Sequence, residues 1–155
     1  MKLSPHFTLR ELTASGTASR LGIDNSPGEA ELANLRRLCE TALEPLRELV
    51  GKPISVNSGL RVPALNKAIG GSSTSAHVRG LAADIEVRGL ANLELARIVE
   101  SSSIPFDQCI LEFYSPTDPA AGWVHVGLSE GAPRGQVLTA SKENGRTVYR
   151  TGLPE

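Results

Sequence analysis

The sequence predicts an α+β fold, with helices packed on one face of a mainly antiparallel sheet. Three observations predict it. Helix-period patterns dominate the N-terminal half and strand-like runs the C-terminal half. The runs "LAADIEV", "DQCILEF" and "GWVHVGL" are joined mostly by loops, with one helical pattern interposed. Such segregation favours a sheet covered by helices over alternating βαβ units.

The elements follow in order. Thr8 and Glu11 stand three apart before apolar positions, a capping box that opens a short first helix. The clearest helix lies in "GIDNSPGEAELANLRRLCETALEPLRELVG". Ser26 is its expected N-cap, Pro27 its first position and Glu29 the partner in a second capping box. Leu32, Leu35, Cys39, Leu43, Leu46 and Val50 then recur at helical spacing. Pro45 is expected to kink or interrupt this helix, and Gly51 to end it. "PISVNSG" reads as a short strand. "VPALNKAIGG" reads as a helix opened by Pro63 and closed by Gly70 and Gly71, and "SSTSAHVRG" as a polar loop.

In "LAADIEV", Ala83, Ile85 and Val87 fall on one face and Ala82, Asp84 and Glu86 on the other. "LANLELARIVESS" is amphipathic at helical period. "DQCILEF" and "GWVHVGL" are strands separated by a Pro/Asp/Gly-rich loop. "QVLTASKENGRTVYR" is a β-hairpin turning at Asn144-Gly145, which either closes the sheet or lines one side of a cleft. No repeat, low-complexity tract or linker divides the chain, so one domain is expected over 1–155.

The formal net charge of -1 disfavours a nucleic-acid binder, which needs clustered Lys and Arg. With aromatics at 4%, little is available for base stacking. Arg134, Lys142, Arg146 and Arg150 tilt the C-terminal hairpin basic and read as solvated surface residues. Cys39 and Cys109 read as small buried apolar residues, since two distant cysteines make neither a disulfide framework nor a Cys-type metal site. No run has signal-peptide or bilayer-spanning character. The chain is therefore expected to be made in the cytoplasm without membrane insertion, to be a monomer, and to reach any outside target after release or as a phage component.

Of three histidines, His77 lies in the loop before one strand and His125 within another. Asp84 is a carboxylate inside an apolar strand, costly unless paired or metal-bound. If the two strands are neighbours with these faces aligned, Asp84 and His125 converge and the loop folds His77 over them. Gly80, Ala82 and Ala83 would then let the backbone approach the metal. Three such ligands with one open position suit catalytic zinc. Taken singly, a strand histidine more often makes one ordinary hydrogen bond. His6 lies outside the pattern and reads as a surface residue.

The combined pattern resembles the zinc D-Ala-D-Ala carboxypeptidase family, whose members include bacterial carboxypeptidases, dipeptidases and bacteriophage endolysins and share the hedgehog/DD-peptidase fold. Ser75, His77, Gly80, Ala82 and Asp84 match its S-x-H-x-x-G-x-A-x-D pattern. Trp123 and His125 match its W-x-H, and Ser58, Gly59 and Arg61 its S-G-x-R. The resemblance spans about Phe7 to Leu128. It implies a zinc metallopeptidase domain, with His77, Asp84 and His125 as ligands of Zn2+ and peptidoglycan stem peptide as substrate. It implies that Arg61 holds a substrate carboxylate or the developing oxyanion. Ser75 is read either as a hydrogen-bond partner of substrate or ligand, or as a cap of its loop.

Many relatives carry an acid three positions before the last histidine, where this chain has Gly122. Glu112, at the end of an apolar strand, is the first candidate for general base. Asp107 is the second and reads more as structural. Glu86 shares Asp84's face and is expected to orient a histidine. Asp118 is more remote. The bond cut is open among D-Ala-D-Ala, a D-Ala crosslink and L-Ala-D-Glu. A non-catalytic zinc module that grips wall peptide or a protein partner is the competing function.

Overall fold

The computed structural model describes residues 1–155. Leu9–Thr13 forms α1, opened by the expected capping box: Thr8 accepts from the Glu11 N–H, and Glu11 accepts from the Thr8 N–H. A small antiparallel pair, β1 (Lys2–Ser4) and β2 (Phe7–Thr8), precedes it. His6, half-exposed in the turn between them, pairs with Glu44 at 2.9 Å. A second short helix, α2 (Gly16–Leu21), is capped by Ser15, whose hydroxyl accepts from the Ala18 N–H.

The long helical pattern departs from expectation at both its start and its middle. The helix α3 runs Glu29–Leu38 with Gly28, not Ser26, at its N-cap. Ser26 is unavailable because its N–H and hydroxyl both donate to Asp24 Oδ1, closing a turn one step earlier. Pro45 neither stops the helix nor bends it in the ordinary way. A π-helical turn, Cys39–Leu43, links α3 to α4 (Glu44–Val50), which carries Pro45 in its first turn. Proline cannot donate to a carbonyl four residues back and its ring crowds that carbonyl. The wider π turn accommodates both problems and lets one apolar stripe continue. Gly51 ends α4 in the left-handed conformation, as expected.

Six strands make the main sheet, in order β3-β4-β6-β5-β7-β8. They are β3 (Ser55–Ser58), β4 (Ala82–Glu86), β5 (Gln108–Glu112), β6 (Trp123–Gly127), β7 (Gln136–Glu143) and β8 (Arg146–Thr151). All pairs are antiparallel except β5 and β7. Two further helices complete the chain: α5 (Pro63–Ile69), ended by Gly70, and α6 (Asn92–Ser101). The hairpin turns at Asn144 and Gly145, both at positive φ, as a tight two-residue turn requires.

Alternation decides what each face of the sheet does. Ala83, Ile85, Cys109, Leu111, Val124 and Val126 join Leu35, Leu38, Leu43 and Leu46 in one apolar core. The helices thus cover one face, as predicted. The opposite face carries Asp84, His125, Ile110 and Glu112, which belong to a cavity of about 890 Å³. Both cysteines are buried and free. No helix is long and apolar enough to cross a membrane.

Candidate metal centre

Register brings the first two residues together. β4 pairs with β6 so that Asp84 stands directly opposite His125. The segment read as a plain polar loop contains a single 3-10 turn, Ala76–Arg79, which carries His77 inward until it is 3% exposed. Ser75 caps that turn, its hydroxyl accepting from the His77 N–H at 3.3 Å. Of the two roles read for Ser75, the cap is the one its contacts show. Gly80 closes the turn at positive φ. The reason for glycine there differs from the expected one: a Cβ would strike the Glu31 carbonyl and Leu35 of α3, so it serves helix packing rather than approach to an ion.

His77 Nδ1 lies 2.8 Å from the Gly59 carbonyl oxygen. A carbonyl only accepts, so Nδ1 carries the proton and Nε2 faces inward. Nε2 is 3.2 Å from Asp84 Oδ1, and His125 Nδ1 is 3.2 Å from the same oxygen. The two rings meet edge to face with centroids 5.0 Å apart. One ligand atom from each residue lies within 4.8 Å of the others, and all three residues are buried. Burial lowers the His77 pKa, the Asp84 carboxylate only partly opposing it, so the neutral ring is favoured. Burial alone would raise the Asp84 pKa, but its polar surroundings, the contact with His125 foremost, outweigh this and keep it ionised. A neutral His77 therefore points a lone pair at a carboxylate oxygen. That contact is repulsive without a cation between them, and a metal ion removes the conflict.

The S-G-x-R segment supports this centre at every position. Gly59 supplies the carbonyl that fixes the His77 ring, and a Cβ on Gly59 would collide with the Leu12 carbonyl of α1. Arg61 donates through Nη2 to Asp84 Oδ2 and through Nε to Ser58 Oγ, each at 3.0 Å. Asp84 thus keeps Oδ1 for the histidine side and gives Oδ2 to arginine. Arg61 Nη1 has no partner within the chain and remains available in the cavity.

A family model described as Peptidase M15 matches residues 5–126. The chain belongs to the peptidase M15 family. No curated protein matches it. For an M15 peptidase the His77, Asp84 and His125 cluster is positioned for a metal ion, and the donor chemistry above suits one. The mixed sheet and its helices agree with the M15 fold.

The candidate acids of this M15 chain separate cleanly. Glu112 lines the cavity with the three clustered residues. Burial raises its pKa, and the Asp84 charge raises it further, against the opposing pull of His125. The Trp123 indole N–H, which lies across the strand pair, also pulls downward although it makes no hydrogen bond of good geometry. Asp107 is structural, held by Arg134 through both carboxylate oxygens at 3.0 and 2.8 Å. Glu86 does not orient a histidine, contrary to expectation; it accepts from Asn57 and Asn92. Asp118 caps its own exposed loop through the Ala120 N–H. Sequence reasoning missed the Gly59 carbonyl as a support, because a backbone acceptor leaves no mark on residue type, and gave Ser58 no role of its own.

Proposed function

We propose that this chain is a zinc metallopeptidase that hydrolyses an amide bond in the peptide stems of peptidoglycan. One observation carries the reading: a buried His77, Asp84 and His125 cluster, with the His77 lone pair facing inward, opens on a cavity that also holds Arg61 and Glu112. His77 Nε2, Asp84 Oδ1 and His125 Nδ1 would hold the ion. Two imidazoles and one carboxylate form a donor set that suits Zn2+, leaving room for water. Zinc, when bound, supplies Lewis acidity that polarises the scissile carbonyl and makes a water nucleophilic near neutral pH.

The remaining work falls to side chains. Glu112, ionised, takes the proton from the attacking water and delivers it to the departing amine nitrogen, so the amide bond breaks as carboxylate and amine form. Arg61 offers Nη1 to the oxyanion or to a substrate carboxylate while Ser58 and Asp84 fix its plane. Ser75 contributes by holding the His77 turn in place. Gly122 does not argue against catalysis, since its backbone requires glycine (Discussion) and Glu112 stands next to it.

The proposed enzyme is a lytic one of endolysin type that acts as a monomer on the wall, after release or as a phage component; the peptidase M15 match over residues 5–126 supports its peptidase part. The test is digestion of purified peptidoglycan by zinc-loaded wild type and Glu112→Gln, with products identified by mass spectrometry. Soluble peptides from wild type alone, with equal zinc in both, support the enzyme and name the bond. Full zinc occupancy with no cleavage by wild type of walls presenting each candidate bond would favour the non-catalytic module.

A further inference from the structure

The hairpin of β7 and β8 lies beyond residues 5–126, the part that matches the family model. It is nevertheless built into the site. Parallel pairing sets Ala140 of β7 beside Glu112, and the hairpin register sets Tyr149 of β8 beside Ala140. Trp123, Glu112, Ala140 and Tyr149 therefore form one cross-strand row, with side chains on the cavity face. Glu112 and Tyr149 are two strand spacings apart, about 10 Å along the row. Ala140 between them is small, and a tyrosine side chain can lean across its methyl group. Ala140 is 1% exposed although β7 is otherwise only half covered, which agrees with a ring lying over it. The Tyr149 phenol is itself raised in pKa by burial and by the Glu112 charge.

Tyr149 is also 56% exposed, a large aromatic open to solvent. Within the cavity its neighbours on the hairpin are Leu138 and Thr147, and Thr147 accepts from Lys142 Nζ at 3.1 Å at the far end of the hairpin. The opposite rim is different, carrying Arg79 paired with Glu130 and Arg134 paired with Asp107. An exposed tyrosine beside the base, with Leu138 next to it, has the makings of a substrate platform: a rigid ring to pack against an aliphatic residue and a hydroxyl for a peptide amide.

We propose that Tyr149, with Leu138 and Thr147, forms the subsite for an uncharged residue of the peptide flanking the scissile bond on the Glu112 side. This rests on the peptidase reading above. Tyr149 acts in binding and does not take part in proton transfer.

The test uses the zinc-loaded full chain and a soluble crosslinked muropeptide dimer with one pentapeptide arm, which carries all three candidate bonds. Tyr149→Ala is expected to raise KM about tenfold and leave kcat within about twofold, because ground state and transition state lose the same contact. Tyr149→Phe should recover most of that loss. Arg150→Ala, on the other face of the same strand, should match wild type and shows that the hairpin itself is intact. An unchanged KM in Tyr149→Ala, a loss in kcat alone, or an equal rise in Arg150→Ala would each overturn the proposal while leaving the peptidase reading standing. If wild type binds the dimer without cutting it, the peptidase reading fails, and a tenfold weaker dissociation constant for Tyr149→Ala by calorimetry still supports the subsite. Absence of binding by wild type overturns both.

Discussion

Gly122 occupies the place where many relatives carry an acid, and the backbone explains the difference. Its φ is +74°, and a Cβ there would run into the Glu112 carbonyl oxygen and the Phe113 backbone. Phe113 is itself at positive φ, a strained position for a non-glycine residue, and packs against Gly122 where β5 ends and β6 begins. Gly122→Ala should destabilise the chain by about 2 kcal/mol or more, read from the denaturation midpoint; a shift of under half that would show that the backbone there can relax. Glu112 shares the cavity with the clustered ligands and feels the charges of Asp84 and His125. Glu112→Gln should lower kcat by at least about 100-fold while zinc content stays unchanged; activity within tenfold of wild type would remove Glu112 from the role of base. Its ionisation gives a second check. Burial and the Asp84 charge favour the protonated form, so in the metal-free chain the Glu112 carboxyl should titrate above the ordinary glutamate range, followed by carbon-13 NMR. A bound cation should draw the midpoint back down. A midpoint at or below the ordinary value in the metal-free chain would contradict the account of its surroundings.

At the scale of elements, local signals were readable where one residue type has one physical use. The Thr8 and Glu11 box, the Gly51 and Gly70 caps and the Asn144-Gly145 turn all form as read. Thr8→Ala should accordingly cost about 1 kcal/mol, measured by chemical denaturation, because the Glu11 N–H at the helix start loses its acceptor. An unchanged midpoint would mean that tertiary packing alone holds α1. Signals failed where two uses competed. Ser26 resembles a cap, yet Asp24 two residues earlier claims its hydroxyl. Pro45 resembles a break, yet burial of Leu43 and Leu46 on one stripe favours a π turn over an interrupted helix. The ligands themselves were legible because strand alternation places Asp84 and His125 on the non-core face. That they are opposite each other depends on β4 pairing with β6, a long-range choice no local pattern encodes. Glu86 shared that alternation and was misread, since Asn57 on the edge strand β3 and Asn92 at the start of α6 reach it first.

The whole molecule divides labour between the two faces of one sheet. The helical face supplies the apolar core and the other face supplies the polar centre, so the cost of burying Asp84 and His77 is set against a scaffold held elsewhere. The apo centre nonetheless holds a lone-pair conflict, and an ion that binds only the folded state must stabilise it. At a free zinc concentration 1,000 times its dissociation constant the gain is about 4 kcal/mol, seen as a rise in melting temperature on zinc addition and its reversal by chelator. A melting temperature indifferent to both would mean that the three residues hold no ion in the folded chain. The most direct single measurement is zinc stoichiometry by elemental analysis of zinc-loaded, dialysed wild type and His77→Ala. One zinc per folded wild-type chain, lost in the variant, is the predicted result. No zinc retained by folded wild type would contradict the metal centre and the peptidase chemistry built on it.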